Sequence, residues 1–160
     1  MFPAFRLFQG RKYMSDKKFL LITKKELFYS AVMLRTRKLV NIVYDFPADK
    51  LKFEAELRDA RKTLRRKNLL EDSIKDGVNI SFSLSVCVSF CANPDKCEVI
   101  DSYGYYATIY QASSHKRKMY MLMEHRDDGD LLAAAWFTNR KNLDEYINSQ
   151  IAQRKGAVLR

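Results

Sequence analysis

Residues 97–137 read CEVIDSYGYYATIYQASSHKRKMYMLMEHRDDGDLLAAAWF, and this stretch decides the fold class. Four runs in it, Cys97–Asp101, Tyr103–Gln111, Lys118–His125 and Leu131–Phe137, are rich in Tyr, Ile, Val, Met and Trp. Aromatic and β-branched side chains fit a pleated, half-buried surface, so each run is expected to be a strand. Turn-forming residues separate them at Ser113-Ser114-His115 and at Arg126-Asp127-Asp128-Gly129-Asp130. The last two runs read as a hairpin with a loop of about four or five residues.

Beyond Phe137 the period changes. Thr138 or Asn139 is placed to cap a final helix through Leu143, Tyr146, Ile147 and Ile151, leaving residues 154–160 as a frayed tail. Before Cys97, Asn93-Pro94-Asp95-Lys96 is a turn, and the residues preceding it are ambiguous. Phe82, Leu84, Val86, Val88 and Phe90 alternate with Ser81, Ser83, Ser85, Cys87 and Ser89, which is the period of a strand. Ile80, Leu84, Val88 and Cys91 also form a helical stripe behind Asn79, a good N-cap, so both readings of residues 80–91 stay open.

Two helices are expected further upstream. Thr23-Lys24-Lys25-Glu26 matches a capping box, with Leu27, Ala31 and Leu34 following at helical spacing, which predicts a helix from about Lys24 to Arg37. Leu39–Tyr44 reads as an extension of that helix or a connecting strand. Phe53, Leu57, Ala60 and Leu64 define a second amphipathic helix, with acids early and bases late, ending at Lys67-Asn68. Asp76-Gly77 marks a turn. The expected fold is α+β: N-terminal helices followed by an antiparallel sheet and a C-terminal helix.

Composition bounds the class. A chain of 160 residues with 47% hydrophobic and 12% aromatic content fits one domain, expected over residues 14–153. Residues 1–13 (MFPAFRLFQGRKY) lack sustained periodicity and read as a disordered extension, with no signal-type h-region. Apolar runs elsewhere are too short to span a bilayer, so a cytoplasmic location is expected. Cys87, Cys91 and Cys97 are an odd number at spacings that suit neither a disulfide framework nor a zinc site, and no metal or cofactor is expected. The net charge of +10, from 29 basic and 19 acidic residues, favours an acidic partner.

No catalytic set emerges. His115 and His125 have no nucleophile set beside them in sequence, none of the phosphate-loop, dinucleotide, nucleophile-elbow or zinc-helix motifs occurs, and Asp127-Asp128-Gly129-Asp130 lacks the spacing of a calcium loop. A binding protein rather than an enzyme is therefore expected. The aromatic strands suggest a protein-binding face with Tyr105, Tyr120 and Trp136 as anchors. The alternative is a winged-helix DNA-binding regulator using Arg58, Arg61, Lys62, Arg65, Arg66 and Lys67, with Lys75 on the wing. Glu54, Glu56 and Asp59 share that helix, as on any solvated polar face.

The order of elements resembles the EspG-like proteins of type VII secretion systems. The residues that carry it are Leu21-Ile22-Thr23-Lys24-Lys25-Glu26-Leu27, Glu56-Leu57-Arg58-Asp59-Ala60-Arg61-Lys62-Thr63-Leu64, Lys67-Asn68-Leu69-Leu70 and Asn93-Pro94-Asp95, followed by the run of strands. The similarity extends over roughly Leu20 to Ile151. The chain is shorter than two-part members of that family, and Asn68 stands where a glycine is expected. The resemblance implies a non-enzymatic chaperone or accessory factor for secretion, binding a helical secreted substrate through its strand-rich half.

Overall fold

Three tight turns organise the C-terminal half, and each requires left-handed backbone. Tyr103 (φ 49°) and Gly104 (φ 79°) join β4 (Lys96–Ser102) to β5 (Tyr105–Ser114). His115 (φ 49°) and Lys116 (φ 66°) join β5 to β6 (Arg117–Arg126). Both are two-residue loops with positive φ at each central position, the type I′ pattern that matches strand twist. The second contains no glycine, so two side chains with a Cβ occupy a region that costs each about 1–2 kcal/mol. A four-residue turn containing Asp127, Asp128 and Gly129, all at positive φ, joins β6 to β7 (Leu131–Phe137).

The computed structural model describes residues 18–36, 38–73 and 77–158. The extension expected over residues 1–13 and the wing residue Lys75 lie outside them. The described residues fall into two compact units: those within Ile22–Asn93 form one, and 18–21 together with 94–158 form the other.

The second of these is the sheet unit. Its strand order is β1-β7-β6-β5-β4, where β1 is Leu20–Thr23, and β4 to β7 form an antiparallel meander. The strands lie within a few residues of the expected bounds, and Leu131–Phe137 coincides with them. The last helix, Arg140–Val158, packs across β5, β6 and β7. Asn139 caps it, its Oδ1 accepting from the Lys141 and Asn142 amides. The helix continues through residues expected to fray. The Arg154 guanidinium lies 4.5 Å over the Tyr105 ring and the Lys155 ammonium 5.8 Å over that of Tyr103, which holds the last turns. Ala107, Ile109, Leu122, Ala135, Phe137, Leu143 and Ile147 fill the core between sheet and helix.

The helical unit contains α1 (Lys24–Met33), α2 (Lys50–Arg66), the hairpin β2 (Leu70–Ser73) and β3 (Gly77–Ile80), and α3 (Phe82–Ala92); the C-terminal helix of the sheet unit is α4. The capping box predicted for α1 is present, with Thr23 Oγ1 accepting from the Glu26 amide and Glu26 Oε2 accepting from the Thr23 amide. The helix stops at Met33, short of the expected Arg37, because Arg35 turns left-handed at φ 55°. Leu39–Tyr44 is neither helix nor strand; its Val40 amide donates to the Cys91 carbonyl. α1 packs on both α2 and α3.

α2 ends in a Schellman motif. Asn68 is left-handed at φ 59°, the Leu69 amide donates to the Leu64 carbonyl, and the Asn68 amide donates to that of Arg65. Asparagine is the residue besides glycine that tolerates this position, which accounts for Asn68 where glycine was expected. Residues 82–92 resolve as helix, capped by Ser81 rather than Asn79, which lies in β3. The Leu70↔Ile80 register of that hairpin sets the chain direction into α3.

Candidate functional site

The three expected aromatic anchors do not present rings to solvent. Tyr105 and Tyr120 belong to the core under α4, and Trp136 is buried at 3% exposure. Alternation along a strand separates two faces, and here side chains on both faces of β5, β6 and β7 are buried, so the most aromatic positions are packing positions. Tyr103 is the exposed tyrosine of this stretch, at 49%.

Tyr105 instead serves a buried carboxylate. Glu124, 3% exposed, accepts from the Tyr105 hydroxyl at 2.8 Å and the Tyr146 hydroxyl at 3.0 Å through Oε2, and from Arg126 at 2.6 Å through Oε1. Arg126 also lies 5.1 Å over the Phe19 ring. Burial, followed by the Glu124 charge, pushes both tyrosine hydroxyls well above their ordinary range. Both Glu124 oxygens and both tyrosine hydroxyls have partners, which gives the group the character of a structural lock joining β5, β6 and α4.

The histidines are held in different settings. His115 is exposed in the β5–β6 turn. His125 lies 3.2 Å from the Thr108 hydroxyl through Nε2, its ring edge-on to Tyr106 at 4.6 Å. Burial, with the neighbouring Glu98 charge, pushes the Cys97 thiol up, away from the reactive thiolate. Among the described residues, no three His, Cys, Asp or Glu side chains come together in a metal-binding group.

The outer face of α2 is organised differently. Ala60 and Leu64 point to the interior and are fully buried. At 3.6 residues per turn, Arg58, Arg61, Lys62, Arg65 and Arg66 fall within an arc of about 140° on the opposite side. All five are exposed. Among the described residues no carboxylate pairs with Arg58, Arg61, Lys62 or Arg66.

The acids that make the sequence pattern ambiguous are mostly occupied elsewhere. Glu56 accepts from the Tyr44 hydroxyl at 2.6 Å, and Asp59 pairs with Lys25 at 3.1 Å. Only Glu54 shares the arc with the cations, one turn before Arg58. Lys67, expected among those cations, leaves them: it turns to the interior side and pairs with Glu26. The β2–β3 hairpin follows three residues after α2. Sequence pattern does not separate Glu54 from Glu56 and Asp59; the helical angle of each acid does.

A second exposed feature lies on the same unit. Phe28 stacks on Tyr44 and meets Phe46 edge-on, and Phe46 meets Phe53 at 5.0 Å. Phe46 is 36% exposed, and Val32, one helical turn beyond Phe28, is 44% exposed. No described helix is long and apolar enough to cross a membrane. No known family model and no curated protein matches the sequence.

Proposed function

We propose that the chain is a non-catalytic binding module that engages the phosphate backbone of double-stranded nucleic acid through the outer face of α2. The observation that carries this is the exposed cation arc of α2, in which Arg58, Arg61, Lys62 and Arg66 pair with no carboxylate among the described residues, on a helix whose other side is anchored in the core. Clustered cations displace condensed counterions from a duplex, and that release drives binding. The order of a basic helix followed by a two-stranded hairpin supports a winged-helix style of docking, with α2 toward the major groove. The net charge of +10 favours encounter with any polyanion.

The test is fluorescence anisotropy on a duplex of roughly 20 base pairs across a salt series. Arg61→Glu with Arg65→Glu should weaken binding and lower the salt slope by about 2, near 0.9 for each phosphate no longer neutralised. Absence of binding by the unmodified protein at low salt overturns the proposal.

A second reading, a protein-binding accessory factor for a helical, type VII secreted substrate, is favoured by the Phe28–Tyr44–Phe46–Phe53 group with exposed Val32. An amphipathic helix laid in an apolar groove is a common recognition mode. Its signature is capture of one defined protein from the native lysate that Val32→Asp or Phe46→Ser abolishes.

A further inference from the structure

The β5–β6 hairpin ends in a cationic tip that neither the core nor the α2 face uses. Ser113-Ser114-His115-Lys116-Arg117-Lys118 forms this tip, and all but the half-buried Ser114 are exposed. Strand register shows what surrounds it. Lys96 pairs with Gln111, Gln111 with Tyr120, and Tyr120 with Phe137, so Lys96 and the start of α4 lie toward the tip's end of the sheet. Arg140 confirms the placement, its guanidinium 5.7 Å over the Tyr120 ring.

Charge at this end is mixed, with cations in excess. Glu98 and Asp144 are both bound by Arg140. Asp95 and Glu145 are exposed acids near it. Against them stand Lys96, Lys116, Arg117, Lys118 and Lys141, none paired with a carboxylate among the described residues. The N-terminus of α4 adds its positive dipole end.

The turn itself is informative. A type I′ loop is best made from Asn-Gly, because both central residues are left-handed. Here the positions are occupied by His115 and Lys116. The fold alone favours other residues at both positions, and the lysine at the second adds a cation to the exposed tip.

We infer that this end of the sheet unit is a second phosphate-backbone contact for duplex nucleic acid, with the β5–β6 hairpin as the contacting ribbon. The inference rests on the reading of α2 as a duplex-binding face, although the two surfaces lie on different units and are separately testable. A two-stranded ribbon fits the major groove and its flanking phosphates. A bilayer surface fits less well, because residues 113–118 include no apolar side chain to insert, as interfacial binding requires.

The experiment compares the full chain with His115→Asn/Lys116→Gly, with Arg117→Gln/Lys118→Gln, and with Arg61→Glu/Arg65→Glu. Each is titrated with the same duplex across salt and with phosphatidylserine vesicles, and thermal unfolding is recorded alongside. The Asn-Gly variant should melt at a higher temperature yet bind duplex more weakly, with a salt slope lower by about 1. The Arg117/Lys118 variant should lower the slope by about 2. Unchanged affinity and slope in both hairpin variants overturn the inference while leaving the α2 reading in place. Loss in the hairpin variants alone overturns the α2 reading and keeps the tip. Preference for vesicles over duplex, abolished by the hairpin variants, replaces nucleic acid with membrane and overturns the inference. No duplex binding by the unmodified chain removes both.

Discussion

The Lys67 ammonium, just past the end of α2, lies 2.8 Å from the Glu26 carboxylate in the first turn of α1. Glu26 is buried and also accepts from the Thr23 amide to close the capping box. One carboxylate therefore fixes the start of α1 and ties it to the end of α2. The pair also withdraws Lys67 from the outer face of α2, leaving five cations there.

Removing Glu26 loses a cap and the counter-charge of Lys67 together, so Glu26→Ala should cost about 2–3 kcal/mol. Lys67→Met leaves the carboxylate buried, but a lysine side chain 35% exposed is partly screened, so its cost should be about 1–2 kcal/mol. Chemical denaturation measures both. Duplex affinity of Lys67→Met should stay near that of the unmodified chain; a loss as large as that of Arg61→Glu would show that Lys67 belongs to the contact face.

Glu54 is the acid left among the cations of α2. Glu54→Gln should strengthen duplex binding, by about two- to fivefold at low salt, with the gain shrinking as salt screens the charge. Glu56→Gln, which alters the bond to Tyr44, should leave affinity unchanged. Anisotropy under matched salt distinguishes them. Equal gains from both would place the contact elsewhere.

How much of this was legible in the sequence follows from what period alone can report. β7, the start of α4 and the body of α2 carry strong local signals: a bounded apolar run, an Asn cap, a continuous stripe. Residues 82–92 carry conflicting signals because α3 is buried on nearly every side, leaving Phe82 and Ser89 as its exposed positions. A helix with little solvent face shows no amphipathic stripe, so the Ser alternation dominates. The burial of Tyr105 and Tyr120 was illegible for a related reason: sequence distinguishes the two faces of a strand but not whether each is covered.

The Glu124 group gives a pH signature. Tyr105 and Tyr146 have folded-state values raised above the ordinary tyrosine value near 10. Their contribution is complete below that value and is lost progressively from there up to the raised folded-state values, because the unfolded chain releases those protons first. Stability should fall above about pH 10. Spectrophotometric titration should show Tyr105 and Tyr146 ionising only with unfolding. Tyr105→Phe with Tyr146→Phe should flatten the alkaline loss, and an unchanged profile would count against the lock.

At the end of α4, Arg154 and Lys155 lie over tyrosine rings. Arg154→Ala should lower stability by about 0.5–2 kcal/mol, in proportion to the desolvation of that contact. Ending the chain after Gln153 should cost at least as much in thermal unfolding. No change in either would mean that the last turns are held by helix propensity alone.

The sheet unit is split in sequence, because the whole of Ile22–Asn93 intervenes between its first strand residues and the rest. During synthesis, β1 emerges early while its neighbour β7 emerges late. The helical unit has local partners throughout and can gather while the sheet still lacks its other strands. Pairing at long separation is slow to close, so β1 spends that interval as an open edge. Destabilising β6 or β7 should therefore lower the yield of native protein more than equal damage to α1 or α2.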